Sequence, residues 1–276
     1  MVAPFKVLKL STVSVLAGLQ ATSQVWANSD TDTSFADESL EYQYSISVGA
    51  GGKVKPEYFG SDDYELSAVP VFDVRRFYIP GLGQVVDGKS KQRGFSIYPS
   101  FSFIGEREAS DSVDLTGTNT IDWAFEAGLG IQYRYDWIRT FAEFRQGFNG
   151  HDGQTGTLGM DFTFEPADRT TLVFGPRINW GSNDFMDTYF GVTAAEAAAP
   201  GSLLAVFDPG SGFNSAGVEM RMSYEWNDRT TLHFDAGWER LINDAADSPI
   251  VRLGDEDQFS AGVGISYRFD FNLFDQ

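Results

Sequence analysis

Residues 121–135 alternate without a break between two kinds of side chain. Ile121, Trp123, Phe125, Ala127, Leu129, Ile131, Tyr133 and Tyr135 hold the odd positions; Asp122, Ala124, Glu126, Gly128, Gly130, Gln132 and Arg134 hold the even ones. Successive side chains of an extended strand point to opposite faces, so this segment makes a strand with one aromatic, apolar face and one polar or bare face. It is also far longer than the about five or six residues usual in soluble sheets. The pattern returns at Tyr42, Tyr44, Ile46, Val48; at Phe95, Ile97, Pro99, Phe101, Phe103; at Leu158, Met160, Phe162, Phe164; at Ala216, Val218, Met220, Met222, Tyr224, Trp226; and at Phe259, Ala261, Val263, Ile265, Tyr267, Phe269. A soluble sandwich or jelly roll is one way to cover such faces. Repeated alternating segments of roughly ten residues separated by turns are, however, the signature of a transmembrane β-barrel, whose apolar face meets lipid. A slip of one residue would carry Asp122, Glu126 and Arg134 into lipid, so the register is strongly specified. The expected fold is an all-β antiparallel transmembrane barrel.

The beginning of the chain gives the address. Lys6 and Lys9 precede an apolar run from Leu10 to Leu19, and Val25-Trp26-Ala27 supplies a small-residue cleavage site. Residues 1–27 read as a secretory signal, and the polar, acidic stretch 28–41 as a flexible periplasmic leader. No later run approaches the about eighteen apolar residues of a membrane helix. An exported chain of amphipathic strands is expected in the outer membrane of a Gram-negative cell. The chain has no cysteine, which removes thiol catalysis and cysteine metal sites. Its mean hydropathy of -0.23 resembles that of a soluble protein, because a barrel's polar half offsets its lipid-facing half.

The topology follows from a local repeat. Asp168-Arg-Thr-Thr-Leu172 and Asp228-Arg-Thr-Thr-Leu232 are the same pentapeptide, each after a strand ending in an aromatic. Both read as tight turns on one side, and Tyr135-Asp-Trp-Ile138 as a third. Short turns face the periplasm and long loops face outward. Strands are expected over 42–50, 64–73, 94–104, 120–135, 138–148, 156–165, 170–180, 214–226, 230–241 and 258–269, with outer loops at 51–63, 105–119, 149–155, 181–213 and 242–257. Segment 74–93 decides the count. Arg76-Phe-Tyr-Ile79 and Gly83-Gln-Val-Val86 read as two further short strands, which gives twelve; a single long connection gives ten. Twelve is expected, with the barrel over 42–271 and a short tail over 272–276.

Charge placement separates the two sides. The net charge is -19, with acids concentrated in the outer loops, so nucleic acid is excluded as a partner by phosphate repulsion. The periplasmic turns are basic, with Arg75, Arg76, Lys89, Lys91 and Arg93 as candidate docking residues for a partner. Glu126, Arg134, Glu219, Arg221 and His233 fall on polar faces and are candidate lumen residues. Asp184, Asp187, Asp244 and Asp247 are candidates for a divalent cation site, since hard cations take clustered carboxylates; otherwise they solvate the loops. Thr193-Ala-Ala-Glu196 is a capping box that starts a short helix in the longest loop, which implies a plug or lid over the mouth. In the simpler reading, Phe185, Met186, Tyr189 and Phe190 anchor the loop to the rim.

Catalysis finds little support. His151 lies in a turn-like loop with no neighbouring serine, and His233 shares a strand face with Asp235 and Glu239, which reads as a dyad or as a lumen salt bridge. No phosphate loop, zinc spacing or nucleophile elbow is present, so no catalytic, cofactor or metal-binding residue is assigned.

Three segments resemble the MipA/OmpV family of MltA-interacting outer-membrane proteins. They are Pro56-Glu-Tyr-Phe-Gly-Ser-Asp-Asp-Tyr64; the run with Asp184, Met186, Asp187, Tyr189, Phe190 and Gly191; and the last loop with Asp247, Ser248 and Pro249. The resemblance implies an outer-membrane barrel acting as a non-catalytic scaffold between a murein lytic transglycosylase and a penicillin-binding synthase. Other members are described as porins, adhesins or antibiotic-linked surface proteins, so a narrow porin or surface receptor is the alternative it carries. Family members typically end on an aromatic residue, whereas this chain ends Asp275-Gln276.

Overall fold

The computed structural model describes residues 42–80, 83–87 and 93–274. The signal segment and leader over 1–41, Lys89, Lys91 and the last two residues of the tail lie outside the described residues. Eleven strands form one sheet: β1 (Tyr44–Pro56), β2 (Tyr64–Ile79), β3 (Gly83–Asp87), β4 (Gly94–Ile104), β5 (Ala124–Tyr135), β6 (Ile138–Asn149), β7 (Gln154–Ala167), β8 (Thr170–Gly181), β9 (Gly212–Glu225), β10 (Thr230–Leu241) and β11 (Asp257–Phe271). Their order is β3-β2-β1-β11-β10-β9-β8-β7-β6-β5-β4, and every pairing is antiparallel.

Segment 76–79 is not a separate strand; it is the end of β2, which runs unbroken from Tyr64 to Ile79. β3 pairs only with that end, as Arg76↔Asp87 and Ile79↔Gly83. The five-residue β3 only flanks the end of β2, so the curl is carried by the ten other strands. That leaves ten places rather than twelve, an even number as an antiparallel ring requires. Among the described residues the sheet's two ends, β4 and β3-β2, are not hydrogen-bonded to each other.

β1 also runs six residues beyond its expected end. Gly51-Gly52 reads as the start of a loop, yet it is paired on both sides, as Gly51↔Gly264 and Gly51↔Val69. Glycine is needed there because a Cβ at Gly51 would stand 2.4 Å from Val263 O. Close strand approach, not chain flexibility, places these glycines.

The alternation sorts the side chains as lipid demands. Phe95, Ile97, Leu129, Ile131 and Val263 are exposed on the outer face, where rings stack across strands, Phe101 on Phe125 and Phe103 on Trp123. The two repeated pentapeptides lie side by side, Arg169 Nη2 reaching Asp228 Oδ1 at 3.3 Å. Tight hairpins put Asp136 and Arg169 at positive φ, 56° and 61°, as two-residue turns between twisted strands require. Residues 272–274 fold back on Gln43, whose side-chain amide donates to Phe274 O at 2.7 Å. No described helix is long and apolar enough to cross a membrane.

Leu129 is 63% exposed near the middle of β5. Leu129→Arg is expected to cost about 2–4 kcal/mol in lipid, whereas Tyr135→Arg, at the strand end, costs about 0–1. Urea unfolding in vesicles measures both; equal costs would contradict the assignment of this face to lipid.

Candidate functional site

The outer end of the barrel carries a lid with its own core. It contains α1 (Asn183–Phe190), α2 (Ala194–Ala197), α3 (Asp244–Asp247), α4 (Pro249–Leu253) and a 3-10 turn at Val113–Leu115. Phe185, Met186, Tyr189 and Phe190 recur at helical spacing, so α1 offers one apolar face. That face packs with Ile121, Leu241, Ala245 and Val251, and with Phe59 and Ile104. A second cluster joins Tyr58, Leu115, Val192, Leu204 and Ile250. The edge of the His151 ring also meets Phe185 and Tyr189, at 5.2 and 5.5 Å between centroids, so all five outer loops converge over the lumen.

Polar contacts fix the lid. Glu196 Oε2 accepts from Thr193 N at 2.9 Å, Thr193 Oγ1 accepts from Glu196 N, and Glu196 Oε1 accepts from Asn119 N and Nδ2. Burial acts to raise the Glu196 carboxyl, but these donors, with Arg107 nearby, hold it below the usual carboxylate range. Ser248 Oγ donates to Phe190 O at 2.7 Å, and Pro249 occupies the start of α4, where its missing N–H costs nothing. Gly191 N donates to Asp187 O and Met186 O, closing α1. The motif residues are therefore lid-building residues.

The four aspartates do not make a cation site. Among the described residues no group of three or more potential ligands converges. Asp244 Oδ2 accepts from Gly210 N at 2.7 Å, and Asp247 pairs with Arg252 at 2.7 Å. Asp184 and Asp187 remain exposed; partial burial, then Asp208 and Asp184, raise the Asp187 carboxyl above its ordinary value. Residues close in sequence here point to different neighbours.

Below the lid the lumen wall is an ion-paired lattice. Glu126 Oε2 accepts from Arg145 Nε at 3.1 Å, and Arg145 also donates to Glu143 (2.6 Å), Ser100 and Thr157. Glu126 Oε1 faces His151 Nε2 at 3.4 Å. Because His151 Nδ1 accepts from Gly153 N at 3.1 Å, the ring hydrogen belongs on Nε2, toward Glu126. Nearer the periplasm, Asp161 gathers Arg139 (2.7 Å), Arg177 and Arg221 (3.8 Å). Arg139 and Arg177 also lie over the Phe141 ring, at 4.4 and 4.7 Å. Arg134 is buried opposite Arg139, and Glu219 lies 3.6 Å from Arg177.

His233 Nε2 lies 2.8 Å from Ser266 Oγ, while Asp235 is engaged by Lys53 at 3.4 Å and Glu239 by Asn179 at 3.1 Å. The same-face spacing of these three residues does not become a dyad.

The docking candidates are not brought together among the described residues. Arg76 lies at the periplasmic end of β2, and Arg75 beside it in the strand. The Arg93 guanidinium sits 4.8 Å over the Tyr135 ring. Sequence reading missed His151, Asp161 and Arg145. Asp161 carried a signal, an acid on the polar face of an alternating strand; His151 carried none, since its partner is 25 residues away and reached through strand register.

A family model described as MltA-interacting protein MipA matches residues 48–269. No curated protein matches the chain. Solved structures similar to it include the COG4313 outer membrane channel from Pseudomonas putida F1, at 10% identity over 83% of this chain and 96% of that one, with a TM-score of 0.42. Neisserial surface protein A aligns at 11% identity over 83% and 97%, with a TM-score of 0.26. OmpT of Vibrio cholerae aligns at 8% over 82% and 97%, with a TM-score of 0.35.

The depressed Glu196 carboxyl ties lid stability to pH. Its contribution is complete above the unfolded value of about 4.3 and is lost as pH falls through the lower folded value. Amide exchange in 193–198, corrected for intrinsic rates, should stay slow at neutral pH and quicken below about pH 4. Glu196→Gln should remove that pH dependence, and Thr193→Ala should cost about 1 kcal/mol of local stability. Protection unaffected by either substitution would show that the capping box does not hold the lid.

Proposed function

The chain belongs to the MipA family, and from that premise we propose that it is an outer-membrane barrel scaffold. In this reading residues 1–27 are removed on export, the barrel inserts in the outer membrane, and its periplasmic face docks peptidoglycan-remodelling enzymes. A murein lytic transglycosylase is the first partner, in keeping with the family's description as MltA-interacting, and a penicillin-binding synthase the second. The observation that carries the proposal is the folded lid. A barrel whose outer mouth is filled by two apolar clusters suits a rigid platform better than a standing path for solutes. The periplasmic turns then present the free working surface. Arg75, Arg76, Lys89, Lys91 and Arg93 are the proposed contacts, basic positions on a chain of net charge -19; such charges steer encounter and fix register.

The charged lumen favours a second reading, a narrow porin or surface receptor in which Glu126, Arg134, Glu219, Arg221 and His233 set selectivity. Planar-bilayer recording separates the two. Under the scaffold reading no stepwise conductance appears; steps whose ion selectivity changes on Arg221→Glu would move the assignment to a channel.

Photo-crosslinking residues at positions 76, 89 and 91 in intact cells are expected to capture a murein hydrolase or synthase, and Arg76→Ser with Arg93→Ser to reduce that capture. An empty result from a correctly folded barrel would overturn the scaffold assignment.

A further inference from the structure

One buried guanidinium makes no direct ion pair among the described residues. Arg107 follows β4, is held by both backbone bonds to Ile121 at 2.9 Å, and is 5% exposed. Its Nη1 donates to Tyr189 O at 3.0 Å and its Nε has no acceptor. Among the described residues it makes no ion pair; Glu196, close enough to act on it, is engaged by the capping box and Asn119. Burying an unpaired ion is costly, so buried charges ordinarily have a partner.

Two further buried donors belong to the same wall. Tyr58 Oη and Tyr189 Oη are buried and have no hydrogen-bond partner; the Ser61 and Ser112 hydroxyls are close enough to act on Tyr58 but not in bonding geometry. Burial raises both phenols above their ordinary value, so both stay protonated and able to donate. Arg107, Tyr58 and Tyr189 all line one cavity of about 300 Å³ under the lid. Three buried donors without acceptors in the wall of one cavity call for an acceptor with negative charge.

The rest of the lining restricts the ligand. Glu57 and Glu106, chain neighbours of Tyr58 and Arg107, border the same cavity, and its other basic residues are already paired, Lys53 with Asp235, Lys55 with Glu65, Arg145 with Glu126 and Arg177 with Asp161, so a second negative charge would meet acids rather than an available cation. A planar, singly charged carboxylate matches the guanidinium fork. Phe59, Ile104 and Phe190 supply an apolar wall that reaches β4 at one end of the described sheet, while Val69 reaches β2 at the other. We propose that this cavity binds an amphiphilic monocarboxylate, its carboxylate held by Arg107 with Tyr58 and Tyr189 and its apolar body laid against Phe59, Ile104 and Phe190. The ligand comes either from the bilayer, through the unpaired β2–β4 edge, as a chain acid, or from water as an aromatic acid.

The test is saturable binding to the full-length barrel in nanodiscs, with empty nanodiscs subtracted. Radiolabelled octanoate and 3-phenylpropionate are the probes; octanol lacks the charge and acetate lacks the apolar body. At least one acid should bind once per chain, with octanol and acetate about tenfold weaker or worse, and Arg107→Gln should weaken binding about tenfold or more. Tighter octanoate indicates the membrane source; tighter 3-phenylpropionate indicates the aqueous one. Absence of saturation by both acids, acetate binding as tightly as either, or full binding by a folded Arg107→Gln barrel would each overturn the proposal. Folding is checked by heat-dependent gel mobility. Should Arg107→Gln fail to fold, Tyr58→Phe and Tyr189→Phe, which delete a donor without changing the packing, decide: binding several-fold weaker supports the site, and unchanged binding in both overturns it.

Discussion

Hydrocarbon offers no hydrogen bonds, so a chain that crosses it with strands must pair every backbone group within its own sheet. The alternation, the even number of places and the short periplasmic turns all follow from that demand. It also explains the cost of a misplaced residue, because a slip of one position would carry a column of charges from lumen to lipid. Among the described residues the sheet's ends, β4 and β2, are not hydrogen-bonded to each other, and residues near the outer ends of both line the cavity under the lid.

The lumen solves a second problem. Inward positions cannot be apolar and still line a wet interior, and isolated charges there would pay desolvation without return. The solution is a lattice in which each charge touches several partners, with Arg145 spanning β4 to β7 and Asp161 collecting three guanidiniums. Small residues make room for it. A Cβ at Gly147 would stand 2.1 Å from the His151 ring, so that ring can lie against β6 only because the position is bare.

Much of this was legible in the chain. Strand existence, facing and turn side are set by local alternation and by turn residues, and these appear in any short window. The inward placement of Glu126 and Arg221 follows from parity alone, and the Thr193–Glu196 box is a four-residue signal. What escaped depends on neighbours distant in sequence. Gly51 read as the start of a loop because its reason is the backbone of β11. Segment 76–79 read as a new strand because nothing local reports that β2 runs on through Val74 and Arg75 to pair with β3. His151, Asp161 and Arg107 are ordinary polar residues until register and loop packing supply Glu126, three arginines or an apolar lid around them.

The same residues bind the lid to the barrel. Tyr189 belongs to α1, takes the Arg107 guanidinium on its carbonyl, packs its ring on His151 and lines the cavity. His151 in turn faces Glu126, on the strand whose other end is Tyr135, beneath Arg93. Outer cavity and periplasmic turn are therefore joined by one strand. A strand paired on both sides is stiff and does not switch on its own. Coupling between sites needs an element with two arrangements, and of the parts along this line the lid alone has a core separate from the sheet. Communication between a cavity occupant and a periplasmic partner would therefore have to begin with a repacking of α1, with Tyr189 as the residue that cannot move without disturbing both Arg107 and His151.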